Sequence, residues 1–188
     1  MIIKINLRIL AGLFAAIILA ALIPYSIKTV SASIDNSHIP AEDNTIELPI
    51  LMYHHMLKSS KLLGDYTITP TEFENDLKYL KEHGYTTIQV QDLISFCNGE
   101  STLPEKPVMI TFDDGYESVY EYAYPLLKQY GMKAVVSIIG YYTDLYSKTE
   151  EKHINYSHLT WTQLREMVES SVFEIQNHTY NMHGNNTR

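Results

Sequence analysis

The chain has 188 residues, a length suited to one domain, with 45% hydrophobic residues and a formal net charge of −8. Its Lys and Arg residues are few and unclustered, which excludes a nucleic-acid surface built on basic patches. The single cysteine, Cys97, excludes an internal disulfide framework and a cysteine-based zinc site, so any metal must be held by His and carboxylates.

Residues 1–32 have the pattern of a leader. Lys4 and Arg8 precede an apolar run from Ile9 to Tyr25, no charge falls between Arg8 and Lys28, and Val30-Ser31-Ala32 offers a small-residue cleavage site before Ser33. This is the tripartite arrangement of a signal peptide. The run is also long enough for an uncleaved membrane anchor, which needs about 20 apolar residues. Either way the working part is expected outside the cytoplasm. Cleavage would remove Lys4, Arg8 and Lys28 and take the net charge from −8 to −11. Residues 33–46 are polar, carry Pro40 and show no periodicity, as a linker would. The domain then occupies 47–188.

Within it, "ELPILMYHH" is an apolar run ending in His54 and His55 and predicts a buried strand. "TPTEFENDLKYLKEHGY" predicts a helix, with Thr69 or Thr71 as N-cap, Phe73, Leu77 and Leu80 on one face, and Gly84 as the stop. "TTIQV" reads as a short strand and "QVQDLISFCNG" as a short helix ending at Gly99. "KPVMITF" is the most strand-like run of the chain. "YESVYEYAYPLLKQYG" reads as a helix to Gly131, "KAVVSIIG" as a buried strand, "SHLTWTQLREMVES" as a helix capped by Thr160, and "VFEIQNH" as a last strand. Continuous apolar strands alternating with amphipathic helices predict a parallel β/α sheet or barrel.

In such folds functional residues gather at the C-terminal ends of the strands. Two stretches stand there. Asp113 and Asp114 follow Phe112, with Gly115 allowing a sharp turn behind them. Taken alone, an Asp-Asp-Gly turn capping the next helix accounts for them equally well. The second stretch is "EIQNHTYNMHG", with His178 and His183 five residues apart. On an ideal helix that spacing is about 140° of rotation, so the two imidazoles can converge only from a strand end and the turn after it. Without HExxH, the helical metalloprotease arrangement is excluded. Taken alone, two surface histidines are as good a reading as a metal site. Together the stretches offer two carboxylates and two imidazoles at the same end of the same kind of strand. Two His and one carboxylate with open positions form a common hydrolytic zinc site, and the second carboxylate is left as a base. His54 and His55 are placed to line the rim, with a structural role favoured for at least one. Tyr116 and Tyr180 are candidate sugar-stacking rings, while Glu117, Glu121 and Glu151 read as solvated charges.

"TFDDG" followed by "HTYNMH" resembles the polysaccharide deacetylases of carbohydrate esterase family four. The one-residue-longer histidine spacing, and "LPILMYHHM" as opening strand, resemble the branch acting on poly-N-acetylglucosamine in bacterial envelopes. The resemblance runs from about Leu48 to the C-terminus. It implies a barrel of the polysaccharide deacetylase type, of which five or so strands are present. It implies Asp113 as general base, Asp114, His178 and His183 as ligands of a divalent metal suited to zinc, and an acetylated polysaccharide as substrate. The family's downstream Arg/Pro-rich strand end, and a late Leu-x-His that supplies its general acid, are not in the sequence. The chain therefore reads as the first half or more of such an enzyme, expected to be a weak catalyst by itself. A non-catalytic, surface-anchored remnant binding glycan or metal is the competing reading.

Overall fold

The computed structural model describes residues 46–58, 64–150 and 152–182. The leader, the linker up to residue 45, Glu151 and His183 lie outside them. Among the described residues no helix is long and apolar enough to cross a membrane.

The elements in chain order are β1 (Ile50–Tyr53), β2 (His55–Met56), β3 (Thr67–Ile68), α1 (Pro70–Glu82), β4 (Thr86–Thr87), α2 (Val90–Cys97), β5 (Pro107–Phe112), α3 (Tyr124–Tyr130), β6 (Ala134–Ile139), α4 (Gly140–Lys148), α5 (Trp161–Glu169) and β7 (Phe173–Thr179). A single parallel sheet carries β1, β5, β6 and β7 in that order, and β4 pairs with the first two residues of β5. All five strands therefore end at the same side of the molecule. This is the α/β architecture expected, a partial (β/α) barrel. β5 is its centre: Pro107, Val108, Met109, Ile110 and Phe112 are all buried, which is how a strand covered on both faces reads.

Local chemistry accounts for the flanking helices. Thr69 caps α1 by accepting from the Glu72 amide at 3.1 Å, while Glu72 accepts from the Thr69 amide at 2.7 Å. Phe73, Leu77 and Leu80 then form the buried stripe that packs the helix on the core. Thr160 and Gln163 repeat the capping box at α5, which buries Leu164 and Met167. The core joins these side chains to Phe112, Ile110, Leu127, Val136 and Phe173.

Three local expectations are corrected. The first apolar run is not one strand: it breaks after Tyr53, and β2 leaves the main sheet to pair with β3, a strand the sequence did not announce. The helix after the aspartates begins at Glu117, close to where it was expected, but it is not one regular α-helix: a wide π-helical turn over Val119–Ala123 precedes α3. Pro125 explains the turn, because an ordinary helical turn there would need the amide hydrogen that proline lacks. Finally α4 follows β6 at once. Gly140 reads as a strand terminator, and only Thr143 of α4 is buried, so no apolar stripe marks the helix.

Candidate active site

The strand ends deliver the aspartate pair in a tight turn. The Asp113 amide donates to the Tyr53 carbonyl at 2.9 Å, so the β1–β5 pairing runs one step past the strands. The Gly115 amide donates to the Asp113 carbonyl at 2.9 Å, closing a three-residue turn centred on Asp114. Asp114 sits in the left-handed region at φ 67°, a conformation that Asp tolerates better than most residues. Gly115 follows at φ 73°, and a Cβ there would stand 3.1 Å from Ile138 Cγ2 of β6. The turn is tied on its far side as well: the Gly115 carbonyl accepts from the Leu159 amide at 2.8 Å and the Asp114 carbonyl from the Ile139 amide at 3.4 Å.

His178 is aimed by an irregularity in β7. Ile138 pairs with Asn177, but Ile139 pairs with Thr179, so His178 is the extra residue of a β-bulge. A bulge interrupts the two-residue alternation and re-aims the side chain, a device common beside active sites. Here His178 Nε2 comes within 3.6 Å of Asp114 Oδ1, with the two side chains 30% and 15% exposed. Two donors on one tetrahedral zinc, each about 2.0–2.2 Å from it, stand roughly 3.3–3.6 Å apart. The pair thus fits a shared cation in chemistry and in separation. Asp114 and His178 are brought together as expected; His183 lies outside the described residues, and among those residues no three ligating side chains form a group.

A column of two buried histidines and two half-buried tyrosines follows this turn. His55 stacks on Tyr116 with ring centroids 4.3 Å apart, Tyr116 on His158 at 4.7 Å, and His158 on Tyr142 at 4.4 Å. Burial pushes the His158 imidazole down to about 4 and lowers His55 as well, so both are neutral near pH 7. Burial, and then the Asp114 charge, raises the Tyr116 phenol. His55 Nδ1 meets the Ser118 hydroxyl at 2.7 Å, which also accepts from the Met56 amide at 3.1 Å. His55 is therefore the structural member of the histidine pair. His54 is the other kind: it is half-buried, lies just past the end of β1, and its ring is 5.0 Å from that of Tyr66. Sequence reading missed His158. Ser157-His158-Leu159 precedes a helix cap and has no strand signal, and only the pairing of Tyr116 with His158 reveals it.

A family model described as polysaccharide deacetylase matches residues 100–187. This segment belongs to the polysaccharide deacetylase family. The chain is 38% identical over 133 residues to the Bacillus subtilis protein YxkH, covering 71% of this chain and 42% of that protein. It is 30% identical over 129 residues to a poly-beta-1,6-N-acetyl-D-glucosamine N-deacetylase of Staphylococcus aureus, covering 69% and 42%. Among solved structures, a de-N-acetylase from Aggregatibacter actinomycetemcomitans matches with a TM-score of 0.65 and 34% identity, over 73% of this chain and 56% of that one. IcaB from Ammonifex degensii matches with a TM-score of 0.59 and 33% identity, over 72% and 54%. The chain thus spans 42% of the length of both curated relatives. The family's barrel is the fold whose first strands the sheet supplies.

Proposed function

We propose that the chain is the metal-bearing part of an extracytoplasmic N-deacetylase acting on an N-acetylglucosamine polysaccharide. The observation that carries this reading is the approach of His178 Nε2 to Asp114 Oδ1 at 3.6 Å, with Asp113 next in the chain at the same strand end. His183 is the third ligand in this reading, and zinc suits a set of two imidazoles and a carboxylate. Asp114, His178 and His183 would hold a divalent cation, which would supply Lewis acidity toward water and an acetamide carbonyl. Asp113, the carboxylate not used as ligand, takes the proton of the attacking water. The proton that Asp113 takes is returned to the amine as the carbon–nitrogen bond breaks. Acetate and a glucosamine residue result. The leader-like N-terminus supports an extracytoplasmic location, and the name of the Staphylococcus aureus relative supports the substrate class.

The test is acetate release from N-acetylglucosamine oligomers by zinc-loaded protein. Asp113→Asn should lower the rate about 10²–10⁴-fold, the usual contribution of a general base, with zinc content and far-UV ellipticity unchanged. An unaltered rate in Asp113→Asn removes Asp113 from the chemistry. A wild-type protein that binds the oligomers but releases no acetate replaces hydrolysis with glycan binding.

A further inference from the structure

Next to the histidine bulge, one carboxylate holds two aromatic side chains in the open, and a third packs against one of them. Asp144 of α4 accepts from Trp161 Nε1 at 2.9 Å through Oδ1 and from the Tyr180 hydroxyl at 3.3 Å through Oδ2. The Tyr141 ring packs edge-on to Tyr180 with centroids 6.4 Å apart. All three rings stay accessible: Tyr141 is 40%, Trp161 44% and Tyr180 62% exposed. Rings of this size are usually buried for their apolar area, so two of them held at the surface by hydrogen bonds to one acid, with a third packed edge-on to Tyr180, form a built feature.

The backbone ties this patch to the catalytic turn. The Ile139 amide donates to Asp114, and two residues on the Tyr141 amide donates to the Tyr180 carbonyl at 2.8 Å. Tyr180 is itself two residues beyond His178. Gly140 lies between the two contacts, and a Cβ there would stand 3.0 Å from Tyr180 Cδ2, so the absence of a side chain lets the Tyr180 ring close over the start of α4.

We infer that Tyr141, Trp161 and Tyr180, organised by Asp144, form a carbohydrate subsite that holds glucosamine units of the polymer beside the reacting one. The inference rests on the hydrolytic reading above and deepens it. Pyranose rings present apolar faces that stack on aromatic rings. Deacetylation adds an ammonium group, which the faces of Trp and Tyr attract and a carboxylate pairs. Asp144 keeps lone pairs free for that group, since two donors occupy only part of its accepting capacity. The net charge of −8 favours a cationic strand over an anionic one.

Trp161 is the one tryptophan of the chain, so its emission reports on this patch directly. The experiment titrates the protein, with chelator present, against a β-1,6-linked glucosamine tetramer and against its N-acetylated counterpart. The expected result is a change in Trp161 emission with both, and tighter binding of the glucosamine tetramer. Tyr180→Ala, checked for fold by far-UV ellipticity, should weaken both by up to about tenfold, the scale of one ring contact. Asp144→Asn should abolish the preference for glucosamine and keep binding of the acetylated tetramer. No emission change with either tetramer, or equal affinities in wild type and Tyr180→Ala, overturns the subsite. Acetate release, measured separately on the zinc-loaded protein, keeps the two readings apart: hydrolysis without a Trp161 response overturns the subsite alone, and a Trp161 response without hydrolysis overturns the deacetylase reading.

Discussion

His158 makes the folded state sensitive to mild acid. Its ring is buried between Tyr116 and Tyr142, and its Nδ1–H donates to the Tyr156 carbonyl at 3.2 Å. Burial holds the imidazole at about 4, against 6.5 in the unfolded chain, with the Tyr156 carbonyl and then Asp114 opposing and His55 adding to the lowering. The folded value is the lower one, so the unfolded chain binds more protons in acid. The stability tied to a neutral His158 is therefore complete above pH 6.5 and is lost as pH falls from there towards 4. The loss is about 2 kcal/mol by pH 5 and about 3 kcal/mol below pH 4. Glu72 and Glu74, which the Thr69 amide and the Tyr130 hydroxyl respectively hold below the usual carboxylate range, lose their contribution mainly as pH falls below 4.5, outside a comparison of pH 7 with pH 5. The assay is urea unfolding followed by far-UV ellipticity at pH 7, 6 and 5, with chelator present. His158→Phe keeps a ring in the stack and removes the titration. It should be less stable than wild type at pH 7 but lose about 2 kcal/mol less between pH 7 and 5. Equal losses in the two proteins, or a His158 NMR titration midpoint near 6.5, would refute the argument.

Three further outcomes are expected. Phe112→Ala should destabilise the fold by about 3–5 kcal/mol in denaturant unfolding, since the ring is fully buried against Tyr53, Phe73 and Phe173 at the centre of the core. Thr160→Ala should cost about 1 kcal/mol by removing the α5 cap, and Thr160→Ser should restore most of it. Zinc at about 100 times its dissociation constant should stabilise the wild type by about 2.7 kcal/mol in thermal unfolding; chelator or His178→Ala should remove that gain.

The parts of the fold that the chain writes as periodic patterns were legible. β5, β6 and β7, and the helices capped by Thr69 and Thr160, lie where apolar runs and capping residues put them. What escaped is decided in three dimensions. The short β2–β3 pair takes its partners from tertiary contact, not from strand propensity. The π turn answers to one proline, and α4 buries too little to show a stripe. At the candidate site, the sequence offers Asp114 and His178 by residue type and by position at strand ends, and the structure sets them 3.6 Å apart. Their approach was not legible, because it depends on a bulge that a strand pattern of seven residues does not reveal. His158 could not be found from the sequence: its burial comes from Tyr116, a residue 42 positions away.

The Asp-Asp-Gly stretch looks in the sequence like a turn or a site, and its backbone shows why one reading does not exclude the other. Asp114 occupies a left-handed conformation, at φ 67°, where most L residues incur about 1–2 kcal/mol relative to glycine. If folding alone shaped the turn, glycine would serve at 114 as it does at 115. This strain can be measured by comparing Asp114→Ala with Asp114→Gly. Both remove the carboxylate, so the lost side-chain contacts largely cancel between them. What remains is the left-handed penalty of alanine, set against the larger unfolded-state entropy of glycine, about 0.4–1 kcal/mol. The balance predicts Asp114→Gly to be the more stable of the two by about 0.5–1 kcal/mol. At ordinary backbone positions the order is the reverse, which makes the sign diagnostic. Denaturant midpoints of the two variants, measured with chelator present, provide the comparison, and neither variant should show stabilisation by zinc. If Asp114→Ala is as stable as Asp114→Gly, the turn is not strained at 114 and the carboxylate is there as ordinary turn chemistry. If the order holds, the chain keeps at this strand end a residue that costs it stability, and the proposed ligand role of Asp114 accounts for its presence.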